Sequence, residues 1–202
     1  MKKFITLALA LCMALSASIC ASAAEVNTDG GSGSTPVYLS STEDGTLEGE
    51  PSATAMSVTV PTALPMAMSQ TGDVTTADNC QIINNSYGAV RVKSVNITTA
   101  NGWRLTSFGD KSTLASEKVD SNKLGFALSI GGGTQVMTDT FDESSQMLIS
   151  SPIAGCYMSG IGNTSGNAVS VDYEAIVTPL SSAVTNANIA NVVFVIEWDT
   201  AA

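Results

Sequence analysis

The sequence predicts an all-β protein, an antiparallel β-sandwich of jelly-roll or immunoglobulin-like type with roughly 8–10 strands. Three observations predict it. Apolar and polar residues alternate with period 2 from about residue 53 onward. Clusters of Gly, Asn, Ser and Pro interrupt that alternation at short intervals. No window of useful length carries a 3.6-residue apolar repeat.

The elements follow in order. Met56, Val58 and Val60 alternate with Ser57 and Thr59, and Pro61 ends the run. Cys80-Gln81-Ile82-Ile83 is closed by the turn residues Asn84-Asn85-Ser86-Tyr87-Gly88. Val90 and Val92 share one phase and Val95 and Ile97 the other, so the slip at Lys93-Ser94 predicts a β-bulge or a bend. A short strand through Trp103 and Leu105 follows the Asn101-Gly102 turn. Leu124, Phe126, Leu128 and Ile130 alternate until Gly131-Gly132-Gly133 stops them in a tight turn. Val169, Val171, Tyr173, Ala175 and Val177 form a buried face opposite Ser170, Asp172, Glu174 and Thr178, with Ile176 as the exception. Val192, Phe194, Ile196 and Trp198 alternate with Val193, Val195 and Glu197; apolar on both faces near its start, this strand reads as a central one.

The N-terminal segment reads as a secretory signal peptide, residues 1–23. Lys2 and Lys3 precede the apolar run Phe4 to Leu15, and Ala21-Ser22-Ala23 supplies the small residues of a cleavage site before Ala24. The run is shorter than the ~20 residues of a membrane span, and after cleavage no transmembrane segment is expected. Cys20 follows Ile19, where a lipid-attachment motif wants a small residue. Residues 24–52 read as a flexible acidic linker. Asp29-Gly30-Gly31-Ser32-Gly33-Ser34 is flexible by composition, and Ser40 to Pro51 carries Glu43, Asp44, Glu48 and Glu50 without a base. Val37-Tyr38-Leu39 is its one apolar patch, an edge strand or a docking strand for a neighbouring subunit. Residues 53–202 form the sandwich domain, large enough for one core.

Composition excludes much. The chain of 202 residues carries 8 Lys+Arg against 18 Asp+Glu, a formal charge of -10, and no histidine. Nucleic-acid phosphates call for clustered bases in excess, so no nucleic-acid partner is expected. Without histidine there is no Ser-His-Asp or Cys-His apparatus and no usual zinc ligand. The paired acids Asp142 with Glu143 and Asp172 with Glu174 have the residue types of a glycosidase, but they fall in a polar loop and on a solvent face. Asp139, Asp142 and Glu143 could offer oxygens to Ca²⁺, although their spacing is not that of an EF-hand. Asn84, Asn96 and Asn163 begin N-x-Ser/Thr triplets, which chance explains in a chain rich in these residues. No catalytic residue, cofactor or metal is expected, and the chain reads as a non-enzyme.

Secretion leaves Cys80 and Cys156 as the remaining cysteines. They form either a disulfide, worth ~4 kcal/mol for a loop of this length, or two separate buried thiols. The remaining bases, Arg91, Lys93, Arg104, Lys111, Lys118 and Lys123, all fall between residues 91 and 123. They are solvated strand and loop residues, or one basic patch that receives an acidic tail, an anionic wall polymer or a second copy; association through such a patch weakens as salt rises.

Two stretches carry a resemblance. Val58 to Pro65, Ala77-Asp78-Asn79, Ile82 to Ser86, Val90-Arg91-Val92 and Gly102-Trp103-Arg104-Leu105 make up the first, and Ile189 to Asp199 the second. Together they resemble secreted surface proteins of Gram-positive gut bacteria. Gly102-Trp103-Arg104-Leu105 is similar to the proximal motif of the WxL cell-wall-binding domain, although Trp198 is followed by Asp199-Thr200 where that family has its distal W-x-L. The resemblance implies surface display and non-covalent binding to the cell wall, with Trp103 and Leu105 as contact residues; as an alternative, both tryptophans are core residues. The expected function is a non-enzymatic secreted or cell-surface structural or adhesion protein, associating with cell-wall polymer, other surface proteins or itself. The alternative is a carbohydrate-binding module, for which Tyr38, Tyr87 and Tyr157 are the available aromatics.

Overall fold

Alternating residues become strands because one face can be buried while the other stays wet, and here two such sheets meet. The computed structural model describes residues 54–163 and 165–200. The signal segment, its cleavage site and the linker with Val37-Tyr38-Leu39 lie outside the described residues. Those described hold twelve strands: β1 (Val58–Thr59), β2 (Met66–Met68), β3 (Val74–Thr76), β4 (Gln81–Asn84), β5 (Val90–Thr99), β6 (Arg104–Leu105), β7 (Lys123–Ile130), β8 (Val136–Met137), β9 (Ser145–Ile149), β10 (Tyr157–Met158), β11 (Ala168–Val177) and β12 (Ala190–Trp198). One 3₁₀ turn, Lys111–Thr113, lies between β6 and β7, and no helix among the described residues is long and apolar enough to cross a membrane.

The fold is all-β, as the alternation predicts. The first sheet runs β1-β4-β11-β7-β6, with β8 also on β7. The second runs β10-β5-β12, with β9 also on β5, and β2 with β3 forms a separate hairpin. The core lies between the two large sheets. Ile82, Leu124, Phe126, Leu128, Ile130, Val171 and Tyr173 come from the first, and Val90, Val92, Val95, Ile97, Ile149 and Met158 from the second. Phe126 and Tyr173 stack with ring centroids 6.0 Å apart, a contact worth about 0.5–1.5 kcal/mol beyond burial. The Tyr173 hydroxyl also donates to the Pro65 carbonyl and accepts from the Ala77 amide, which ties the β2–β3 hairpin to the sandwich.

Local sequence explains several details. Lys93 is the extra residue of a bulge: Ser94 faces Val195 and Val92 faces Ile196, so Lys93 has no opposite number. The extra residue lets Val92 and Val95 both point inward although three positions separate them. Asn101 (φ 51) and Gly102 (φ 82) both take the left-handed conformation of a tight turn, closed by the Trp103 amide on the Ala100 carbonyl at 3.0 Å. That turn carries the chain from β5 in the second sheet to β6 in the first. The excursion before β7 then brings β6 alongside it in parallel, Arg104 facing Lys123, so one pair departs from the expected antiparallel arrangement. Ile176 breaks the alternation because it faces Gly125, whose missing side chain leaves room for it; a Cβ there would lie 2.7 Å from Ile176.

β12 corrects the sequence reading most. It pairs with β5 along its whole length and is the edge of the second sheet, not a central strand. Val193 and Val195 point away from the core and are 52% and 42% exposed.

Candidate functional site

The six bases do not form one patch. Arg91 and Lys93 lie on β5 of the second sheet, whereas Arg104 and Lys123 are paired on β6 and β7 of the first. Around Arg91 the charges are paired across strands. Arg91 Nε donates to Glu197 Oε1 at 2.8 Å, Arg91 Nη1 to Asp199 Oδ1 at 3.2 Å, and Lys93 Nζ reaches Glu197 Oε2 at 3.0 Å. The Lys93 ammonium, with the Arg91 guanidinium, holds the Glu197 carboxyl below its ordinary range. Lys111 pairs with Asp73 on the β2–β3 turn, and its ammonium lowers that carboxyl too. Lys123 Nζ donates to Glu117 Oε1 at 2.8 Å and sits 4.6 Å from the centre of the Phe141 ring; its pKa is raised, first by Glu117. Among the described residues Arg104 and Lys118 make no ion pair. Four of the six bases are thus matched within the chain, because the fold brings distant acids to them.

Of the two contact residues implied by the WxL resemblance, Leu105 is a core residue. Leu105 is fully buried, and its amide donates to the Glu143 carbonyl at 2.7 Å. A side chain with no exposed surface cannot touch a wall polymer, which corrects that expectation. Trp103 is half-buried and packed against the core, and so is Trp198, whose ring lies over Gly88.

Cys80 and Cys156 are free thiols, so the bridge alternative is not formed. They belong to different sheets: the Cys80 carbonyl accepts from Val171 and the Cys156 carbonyl from Val92. Burial pushes the Cys156 thiol up, as for an inert apolar side chain.

The acids stand apart. Asp139 Oδ1 accepts from Gln146 Nε2 at 2.7 Å, Asp142 Oδ1 lies 3.9 Å from Lys123, and Glu143 is exposed. Among the described residues no three acids or thiols are gathered as metal ligands. Asp172 and Glu174 are exposed on the outer face of β11, where Ser170 Oγ donates to Asp172 at 2.9 Å. Glu174 edges an open groove of about 620 Å³ with Phe108, Asp110 and Lys111. Asn84 is buried, its Nδ2 donating to the Gly88 and Ser159 carbonyls and its Oδ1 accepting from Ser86, so this first triplet is structural.

What stands out is the outer face of the second sheet. Val193 and Met147 flank Asn96 on β12 and β9, and Val195 faces Ser94 one step along. Met147 is 52% exposed. The three side chains make an apolar belt over a polar central strand, bounded at one end by the row Tyr157, Arg91 and Glu197. Sequence reasoning read β12 as a central strand and missed β9, whose five residues alternate too briefly to be read. The chain matches no protein-family model, no curated protein and no solved structure.

Proposed function

We propose that the chain is a non-enzymatic structural protein of the cell surface that works by associating with itself. The observation that carries this reading is the apolar belt of Val193, Val195 and Met147, left in water by the single chain. A wet apolar strip beside an edge strand favours an interface. The signal-like N-terminus supports display outside the cell, and the absence of histidine removes the commonest catalytic base. Wall binding rests on the WxL resemblance, of which Leu105 is buried and Trp103 keeps part of its ring in water.

The mode of association changes with the geometry. Bases already matched within the chain leave little for an electrostatic dock, whereas the belt is uncharged. Copies of a chain with charge -10 repel at low salt, and screening shortens that repulsion to ~8 Å at physiological ionic strength. Association is therefore expected to strengthen with salt, contrary to the sequence-based expectation. Sedimentation velocity of the purified protein at two ionic strengths tests this. A persistent monomer with affinity for a soluble glycan favours the carbohydrate-binding reading, for which Tyr87 and Tyr157 are exposed.

A further inference from the structure

β12 differs from the other edges of this fold. Natural sheets protect their edges by keeping them short or by placing Lys or Pro on them. The first sheet ends in β1 and β6, of two residues each, β8 and β10 are equally short, and β9, on the other side of β5, has five residues. β12 has nine residues, Ala190–Trp198, with no Lys, Arg or Pro. Among the described residues it pairs only with β5. Its one charge, Glu197, is held by Arg91 and Lys93. In an acidic chain this edge is where two copies meet with least repulsion.

We propose that β12 is a self-recognition edge: the β12 of a second copy adds to it antiparallel, so that one sheet runs through both chains. This rests on the self-association reading above and names its surface. The strand's own sequence selects a second copy as the occupant. Antiparallel pairing about a two-fold axis must match outward residues with outward residues. With Phe194 opposite its own counterpart, Val193 faces Val195, Val192 faces Ile196 and Asn191 faces Glu197. The exposed valines then cover one another, and no like charges oppose. The bulge at Lys93 lies beside the far end of the strand and leaves Ala190 to Val195 in regular register.

The test uses the full chain. Val193→Lys/Val195→Lys and Met147→Lys are compared with the parent by sedimentation velocity, with far-UV circular dichroism confirming the fold. The edge pairing predicts that the double variant weakens dimerisation at least about tenfold, while Met147→Lys, off the edge, changes it less than about threefold. It also predicts that Val193→Cys mixed with Val195→Cys cross-links faster than either alone. Equal loss in both lysine variants indicates face-to-face packing of the belt and overturns the edge pairing while leaving self-association standing. A parent that stays monomeric overturns both.

Discussion

Trp103 shows how one residue carries two meanings. It follows the Asn101-Gly102 turn that moves the chain between sheets, and its ring packs half-buried on the core beside buried Leu105. A wall-contact role needs an exposed ring; a structural role needs a filled site. Trp103→Ala is predicted to cost about 3 kcal/mol, the low end for a buried aromatic because the ring is partly wet. Urea denaturation measures it, and an unchanged midpoint with lost wall binding would restore the contact role. The tryptophan itself was legible in the sequence, and so was its alternative as core. The partners of the bases were not. Arg91 meets Glu197 across β5 and β12, more than a hundred residues apart, and nothing local marks such a pair. The thiols are similar: two cysteines in one chain leave a bridge open, but only the fold sets which sheet each occupies.

At the scale of elements, alternation read the long strands well. β11 buries Val171, Tyr173 and Ala175 as its pattern requires, and the phase slip in β5 became the bulge at Lys93. The exception at Ile176 has its cause on β7. Gly125 lies opposite, and a Cβ there would also come 3.1 Å from the Phe108 backbone. Gly125→Ala is therefore predicted to destabilise by about 1–3 kcal/mol through overpacking. Gly109→Ala serves as the control: an added Cβ meets only Thr113, at 3.8 Å, and the midpoint should move by less than about 0.5 kcal/mol. Equal effects at both sites would show that propensity, not packing, governs Gly125. Of the strands of two or three residues, β2, β3, β8 and β10 stayed illegible because so short a run offers no period, whereas β1 and β6 lie in runs that the adjoining Pro61 and Asn101-Gly102 mark. β12 was misplaced for another reason: a two-faced apolar strand signals two covered faces, and this chain leaves the outer face of β12 open.

At the scale of the whole molecule, charge sets the response to pH and salt. Glu197, Asp73 and Asp120 all have carboxyls held below their ordinary values of 4.5, 3.8 and 3.8 by Lys93 with Arg91, by Lys111, and by the Ser181 hydroxyl and amide. A depressed folded pKa means that the unfolded chain binds protons first as pH falls. Their stabilisation is complete above the ordinary carboxylate range and is lost as pH drops through it and below. The melting temperature is predicted to hold from neutrality down to that range and then fall, with Glu197→Gln flattening the fall. A parent and variant with parallel pH profiles would show that the Arg91–Lys93–Glu197 cluster contributes nothing.

Self-association of an acidic sandwich through an uncharged surface is most directly tested by sedimentation velocity across protein concentration, at about 0.05 M and about 0.5 M salt. The geometry predicts a dimer whose population rises with concentration and rises further at the higher salt, as repulsion between copies of net charge -10 is screened. A monomer throughout, or a dimer that dissociates as salt is added, would contradict it.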